Sequence, residues 1–278
     1  MKFAVLTDTH LLRDGKTLFT INPGERLRQA FTSINRDHPD ISFIIITGDL
    51  AHLGEPAAYE NLHDAIALAH VPVKLMMGNH DRRRYFRNVF ADRYVSNGGF
   101  VQWQETFTAF SLIVLDTLNE DSETHAGLLC RERLSFLHTA LAAAPADRPL
   151  LLFQHHPPFS IGLPSMDKIK LQNGEEEWQL ISSVRKPDYI FMGHIHRPVS
   201  GIWHGIPYHI QRGLAHQVDL DFKAVKIPGT LEEPDYSIVT VETDTLTIHQ
   251  KSFAYSGPRF WLEDRQAQAA HNTNELRR

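Results

Sequence analysis

"VKLMMGNHDRRR", residues 73–84, decides the fold: an apolar run stops at a glycine, and an amide, an imidazole, a carboxylate and three guanidinium groups follow at once. A buried strand of a parallel sheet behaves this way, apolar on both faces until it opens at its carboxyl end. We therefore read Val73–Met77 as a strand and the residues after it as the rim of a site.

Working outward, Phe3–Leu6 and Ile41–Ile46 have the same form. Between them Pro23–Asn35 places Leu27, Ala30, Phe31 and Ile34 at helical spacing, and Pro56–Ala69 is a second amphipathic helix. Further strands are expected at Phe107–Leu115, Leu150–Gln154, Tyr189–Met192 and Tyr208–Gln211, with a helix over Arg131–Ala143. Strands alternating with helices predict an α/β sandwich with much parallel pairing. Phe159–Gly174 and Leu220–Pro234 read as loops over the strand ends, and Glu263–Arg278 as a polar tail.

The polar residues fall in register with this frame. "LTDTH" supplies Asp8 and His10, "IIITGDLAH" Asp49, "MMGNHD" Asn79 and His80, "LFQHHPP" His155 and His156, and "FMGHIH" His194 and His196. In open α/β sheets the ligand site lies outside the carboxyl ends of the strands, so these side chains should converge. Asp8 with His10, and His194 with His196, stand two apart, which in an extended backbone turns both members of a pair the same way. Gly48, Gly78 and Gly193 each precede a candidate metal ligand, where a glycine lets the chain leave the sheet sharply.

Composition narrows the function. With 278 residues and a formal charge of -5, the chain has no polycationic field for duplex nucleic acid. Cys130 is the only cysteine, so no intrachain disulfide forms. The N-terminal apolar run is too short for a signal-peptide core, and no apolar stretch is long enough to span a membrane. A cytoplasmic enzyme acting on a small molecule is expected, with no membrane and no nucleic-acid duplex as partner. The unit should cover residues 1–255, with a strand-rich segment at about 217–255 serving homo-oligomer assembly and a tail over 256–278.

As an ordered set these blocks resemble the calcineurin-like metallophosphoesterases, whose order D-x-H, G-D, G-N-H-D, H, G-H-x-H is matched by Asp8-Thr9-His10, Gly48-Asp49, Gly78-Asn79-His80-Asp81, His155 and Gly193-His194-Ile195-His196. Within that family "QHHPPF", "MDKIKLQNG", "GLAHQVDLD" and "YSGPRFW" are similar to class III cyclic nucleotide phosphodiesterases and glycerophosphodiesterases. The resemblance implies an αββα sandwich of two mixed sheets flanked by helices, with the active site at the C-terminal strand ends. It also implies two divalent metal ions, drawn from Fe, Mn, Zn or Co. Asp8, His10, Asp49 and His196 would hold the first, and Asp49, Asn79, His155 and His194 the second, with Asp49 bridging.

The activity so implied is phosphodiester hydrolysis of small molecules by a metal-bound hydroxide in the two-metal pattern. Two divalent ions carry four positive charges, of which Asp8 and Asp49 cancel two, leaving a surplus for hydroxide and phosphate. Asn79 completes a shell without cancelling charge, so the second ion should bind more weakly. His80, oriented by Asp81, and His216 are assigned to phosphate contact and leaving-group protonation, and Phe19 to the substrate pocket. His156 is read as structural. Arg82, Arg83 and Arg84 form either a phosphate clamp or a solvated helix start. His52 occupies the position at which purple acid phosphatases carry a tyrosine ligand, so a tyrosinate centre is not expected. The alternatives are a phosphomonoesterase and a catalytically inactive scaffold of the same superfamily.

Overall fold

The first strand, β1 (Lys2–Leu6), is apolar throughout because both its faces are covered: Phe3 and Val5 point into the space between two sheets, and Ala4 and Leu6 toward helices. The computed structural model describes residues 1–262 except 97, 121 and 122, so the polar tail expected over 263–278 lies outside the described residues. From β1 the chain runs through α1 (Pro23–Asp37), β2 (Ile44–Ile46), α2 (Pro56–Ile66), β3 (Val73–Leu75) and α3 (Arg83–Phe90). The start of α1 is set by Asn22, whose side-chain oxygen accepts the Glu25 N–H at 3.1 Å, and by Pro23 in the first helical position.

A hairpin of β4 (Trp103–Thr106) and β5 (Ser111–Leu115) leads into α4 (Arg131–Ala143), β6 (Leu150–Gln154), the single turn α5 (Pro164–Asp167), α6 (Gly174–Val184), β7 (Tyr189–Met192), β8 (Val199–Trp203) and β9 (Ile206–Ile210). A short ribbon of β10 (Gln217–Val218) and β11 (Gly229–Thr230) precedes β12 (Asp235–Val241) and β13 (Leu246–Ser252).

Among the described residues the strands form two large mixed sheets, ordered β13-β12-β1-β2-β3 and β4-β5-β6-β7-β9-β8. Phe3, Phe43, Phe110, Phe153 and Phe191 fill the layer between them, with Phe3 stacked on Phe43 at 4.8 Å and Phe153 on Phe191 at 4.7 Å. Helices α1 to α3 cover the outer face of the first sheet and α4 to α6 that of the second. The result is the expected αββα sandwich. Strands β1, β2 and β3 are parallel, as are β5, β6, β7 and β9, so their carboxyl ends gather along one edge.

Two expectations need correction. The run Phe107–Leu115 is not one strand: Phe107 donates its N–H to the Phe110 carbonyl at 2.8 Å, and the chain reverses there while both rings stay in the inter-sheet layer. Apolar continuity conceals that turn. The late strand-rich segment joins the first sheet: β12 pairs antiparallel with β1, Lys2 opposite Thr240 and Val5 opposite Ser237. It completes the first sheet. The stretch Leu220–Pro234 is also not all loop, since Gly229–Thr230 pairs with Gln217–Val218.

Candidate metal centre

The loops after β1 and β2 continue side by side beyond the sheet, with the Asp8 N–H bonded to the Gly48 carbonyl at 3.1 Å and the His10 N–H to the Asp49 carbonyl at 2.9 Å. The side chains converge for a reason other than an extended backbone. Asp8, His10, Asp49, His194 and His196 all have positive φ, between 46° and 68°, the left-handed region that non-glycine residues seldom enter. Such strain persists where surrounding structure over-determines it, and it marks functional sites. Gly78 and Gly193 serve by close approach: a Cβ on Gly78 would collide with the Asp49 backbone and carboxylate, and one on Gly193 with Thr7 and the Thr47 carbonyl.

One set of donors comprises Asp8, His10, Asp49 and His196, all buried, with their ligand atoms within 4.8 Å of one another. His196 Nε2 lies 3.2 Å from Asp8 Oδ1, and His10 Nε2 lies 3.5 Å from Asp49 Oδ2 and 3.0 Å from His196 Nε2. A second set adjoins it through the same carboxylate. His155 Nε2 is 3.4 Å from Asp49 Oδ2, and His194 Nδ1 is 2.8 Å from Asn79 Oδ1.

The outer nitrogen of each ring fixes what the inner one offers. His155 donates Nδ1–H to the Thr47 carbonyl at 2.8 Å, His196 donates Nδ1–H to the His216 carbonyl at 2.8 Å, and His194 donates Nε2–H to the Ile169 carbonyl at 3.0 Å. A carbonyl only accepts, so a proton sits on the outer nitrogen, and whenever the ring is neutral a lone pair faces inward. At His194 that lone pair opposes the amide oxygen of Asn79, two acceptors at contact distance. Among the described residues, Asp8 Oδ1 and His155 Nε2 are buried with no hydrogen-bond partner. Buried acceptors short of donors are costly by themselves and fit divalent cations.

Electrostatics point the same way. Burial keeps His10 and His194 well below the ordinary imidazole range, hence neutral. Burial also opposes charge on His155, but Asp49 and Asp8 outweigh it and push that ring up to about 9, a proton held where the carboxylates seek a cation. Burial alone would raise Asp49, yet His155, His80 and His10 hold it well below the usual carboxylate range.

The remaining sequence-predicted residues surround these sets. His80 is half-buried, gives its backbone N–H to Asp49 Oδ1 at 2.8 Å and its Nδ1–H to the His52 carbonyl at 2.7 Å. That corrects the role expected of Asp81, which does not touch the His80 ring. Asp81 is buried and accepts from the N–H groups of Leu50, Ala51 and Gly78 and from the Tyr59 hydroxyl, pinning the loop after β2 to the loop after β3. Burial and then Asp49 push its carboxyl up to about 7, against those backbone donors.

His216 lies with its ring 4.3 Å from His196 and 5.1 Å from Phe19, and burial beside other imidazoles lowers it to about 3. His156 takes the Thr117 hydroxyl on Nδ1 at 2.7 Å and gives Nε2–H to the His125 carbonyl at 3.1 Å, so both nitrogens have partners, although it offers a donor atom within 4.8 Å of those of His155 and His194. The arginines form no clamp. Arg83 is bound to Asp116 at 2.7 Å and to Glu120 at 2.8 Å, Arg82 donates to the Asp81 carbonyl, and Arg84 lies over Tyr85.

One residue was missed. His125, on the loop after β5, accepts the Asn79 amide N–H on Nδ1 at 2.9 Å and stacks on His80 at 4.7 Å, while His80 stacks on His52 at 5.1 Å. No motif contains it. The available signal was topological: β5 is parallel to β6, so the loop leaving β5 opens on the same edge.

A family model described as calcineurin-like phosphoesterase matches residues 1–198. The chain is 56% identical, over 95% of its length and 97% of the other's, to a protein of Rhodopseudomonas palustris named as a probable cyclic nucleotide phosphodiesterase. It is 29% identical, over 91% of its length and 94% of the other's, to an Arcobacter nitrofigilis protein named as a probable glycerophosphodiester phosphodiesterase. Among solved structures, a dimetal phosphatase from Danio rerio aligns with a TM-score of 0.69 over 91% of this chain and 96% of that one, at 13% identity, a likeness of fold alone.

Proposed function

The chain belongs to the calcineurin-like phosphoesterase family and is a hydrolase of phosphoric diesters; from that premise we propose that it cleaves small-molecule phosphodiesters, cyclic nucleotides foremost, with two divalent cations that Asp49 would help to hold in common. The relatives' names support the substrate class, and the observation that carries the centre is the set of inward lone pairs around one buried carboxylate, two of them without any partner. Asp8, His10, Asp49 and His196 would hold one cation, and Asp49, Asn79, His155 and His194 the other. Imidazole, carboxylate and amide donors without thiolate suit Fe, Mn, Zn or Co.

When bound, the pair of cations supplies Lewis-acid stabilisation of the attacking and departing oxygens and lowers the pKa of water. The chain's own part is positional. His80, with Nδ1 tied to the His52 carbonyl, presents Nε2 for proton exchange with the departing oxygen. His216, neutral beside His196, and Asn79, half-buried at the rim, border the phosphate's place. In the balance, an oxygen from water joins phosphorus, the bond to the leaving arm breaks, and that arm departs as an alcohol with one proton.

The test is metal content per chain together with parallel turnover of bis(p-nitrophenyl) phosphate, p-nitrophenyl phosphate and 2′,3′- and 3′,5′-cyclic AMP. Two ions per chain and diester turnover well above monoester are expected. Faster monoester turnover would move the protein to the phosphomonoesterases.

A further inference from the structure

Beside the metal centre lies a cavity of about 450 Å³ lined by Phe19, His216, Val218, Ile227, Thr230 and Leu231 among others. It shares Phe19, His216, Val218 and Ile227 with the smaller cavity that reaches His10, Asp49, Asn79 and His194, so the two adjoin. Among the described residues no Asp, Glu, Lys or Arg lines it. Its volume falls within the range of ligand pockets. Its walls leave apolar surface in water: Phe19 is 61% exposed, Ile227 49% and Leu231 47%.

Phe19 is held there against local preference. Leu18 and Ile21 exchange both backbone hydrogen bonds, at 2.8 and 3.0 Å, so Phe19 and Thr20 are the two corner residues of a tight hairpin. Both have positive φ, 48° and 77°. That turn favours Asn and Gly, and a bulky residue in the left-handed region is strained. The ring gains little packing from the position, because it stands mostly in solvent, its centre 5.1 Å from that of the His216 ring. A strained, exposed aromatic aimed along the mouth of a reaction centre is explained by what binds against it.

We propose that this cavity receives one arm of the phosphodiester, selecting an uncharged apolar or aromatic arm over a charged or strongly hydrated one, with Phe19 as its wall. The proposal rests on the phosphodiesterase reading, since it places phosphorus at the neighbouring metal centre. The lack of charged lining leaves an ammonium-bearing arm desolvated without a partner, whereas each methylene removed from water is favourable.

A series of n-alkylphosphonates from methyl to hexyl, with 2-aminoethylphosphonate as the charged member, tests it as competitive inhibitors of bis(p-nitrophenyl) phosphate turnover and as ligands that raise Tm. The inhibition constant should fall roughly threefold to fourfold per added methylene until the cavity is filled, and the aminoethyl compound should bind no better than methyl. Phe19→Asn should flatten that slope while leaving Tm level or raising it, because Asn suits the turn. Leu231→Asn should flatten the slope as well, and the same change at exposed Leu68, just past the end of α2, should not. A flat slope in the wild type, or a fall in Tm in Phe19→Asn that marks the ring as a packing anchor, overturns the proposal. No diester turnover with a graded rise in Tm would instead overturn the phosphodiesterase reading and leave the pocket standing.

Discussion

The two sets of donors that meet at Asp49 differ in charge and in how firmly they are held. The first joins two carboxylates, Asp8 and Asp49, to His10 and His196, all buried on loops that hydrogen-bond to each other along their backbones. The second has Asp49 alone as its charge, with His155, His194 and the amide of Asn79, and Asn79 is half-buried with its N–H on the exposed ring of His125. A site with less negative charge and one adjustable donor binds a cation less tightly. On the two-cation reading proposed above, the second set would govern metal occupancy and the first would provide the anchor.

The sharpest way to break this comparison is to remove the shared member and the unshared amide in turn. Asp49→Asn should lose both ions and lower kcat roughly a thousandfold or more, the several kcal/mol that metal stabilisation supplies. Asn79→Ala should lose one ion and keep the other. Metal analysis after gel filtration, with Tm as a check on folding, reads both. Two ions retained in Asn79→Ala, or equal affinities of the two sites in the wild type, would show that the asymmetry in charge does not govern occupancy.

A smaller effect belongs to His125. Its ring accepts the Asn79 amide N–H and so turns the amide oxygen toward His194. Partners that orient a ligand in this way are worth about 10- to 100-fold in metal affinity. His125→Ala should weaken the second ion by that factor and leave the first unchanged in a calorimetric titration. Equal weakening of both would mean that the loop carrying His125 supports the whole edge rather than Asn79 alone.

Most of the donors were legible in the sequence, and the exceptions share a cause. Asp8, Asp49, Asn79, His155 and His194 each follow an abrupt end of apolar residues, and parallel strands bring such ends together, so position along the chain translated into position in space. What failed to translate was anything set by a partner distant in sequence. His125 comes ten residues after the end of a strand, and only Asn79 gives it meaning. The donors to Asp81 come from the loops after β2 and β3 and from α2, none of which its neighbour His80 reveals. The pairing of β12 with β1, Lys2 against Thr240, spans nearly the whole chain, and local alternation announces only that two strands exist. The left-handed backbone at the ligands is likewise a tertiary effect, for nothing in "DTH" or "GHIH" specifies a positive φ.

The supports behind the two sets differ as well, and this gives the smallest expected effect. Asp81, behind the loops of the first set, has four donors, whereas Glu177 on α6, behind the end of β6 that carries His155, has only the Gln154 amide at 3.3 Å, and its Oε1 has no partner. Burial therefore raises Glu177 from 4.5 to about 8, with the Gln154 hydrogen bond acting weakly the other way. Between those values the folded chain keeps a proton that the unfolded chain has released, so stability is full below the lower value and falls as pH rises through the window. Gln in place of Glu holds no such proton. The stability of Glu177→Gln relative to the wild type should then grow by about 1 kcal/mol from pH 6 to pH 7, on the scale of 1.4 kcal/mol for each unit of displacement, and level off above the upper value. Urea unfolding of both proteins across that range measures the difference and cancels the histidines they share. Parallel curves would mean that Glu177 is ionised in the fold.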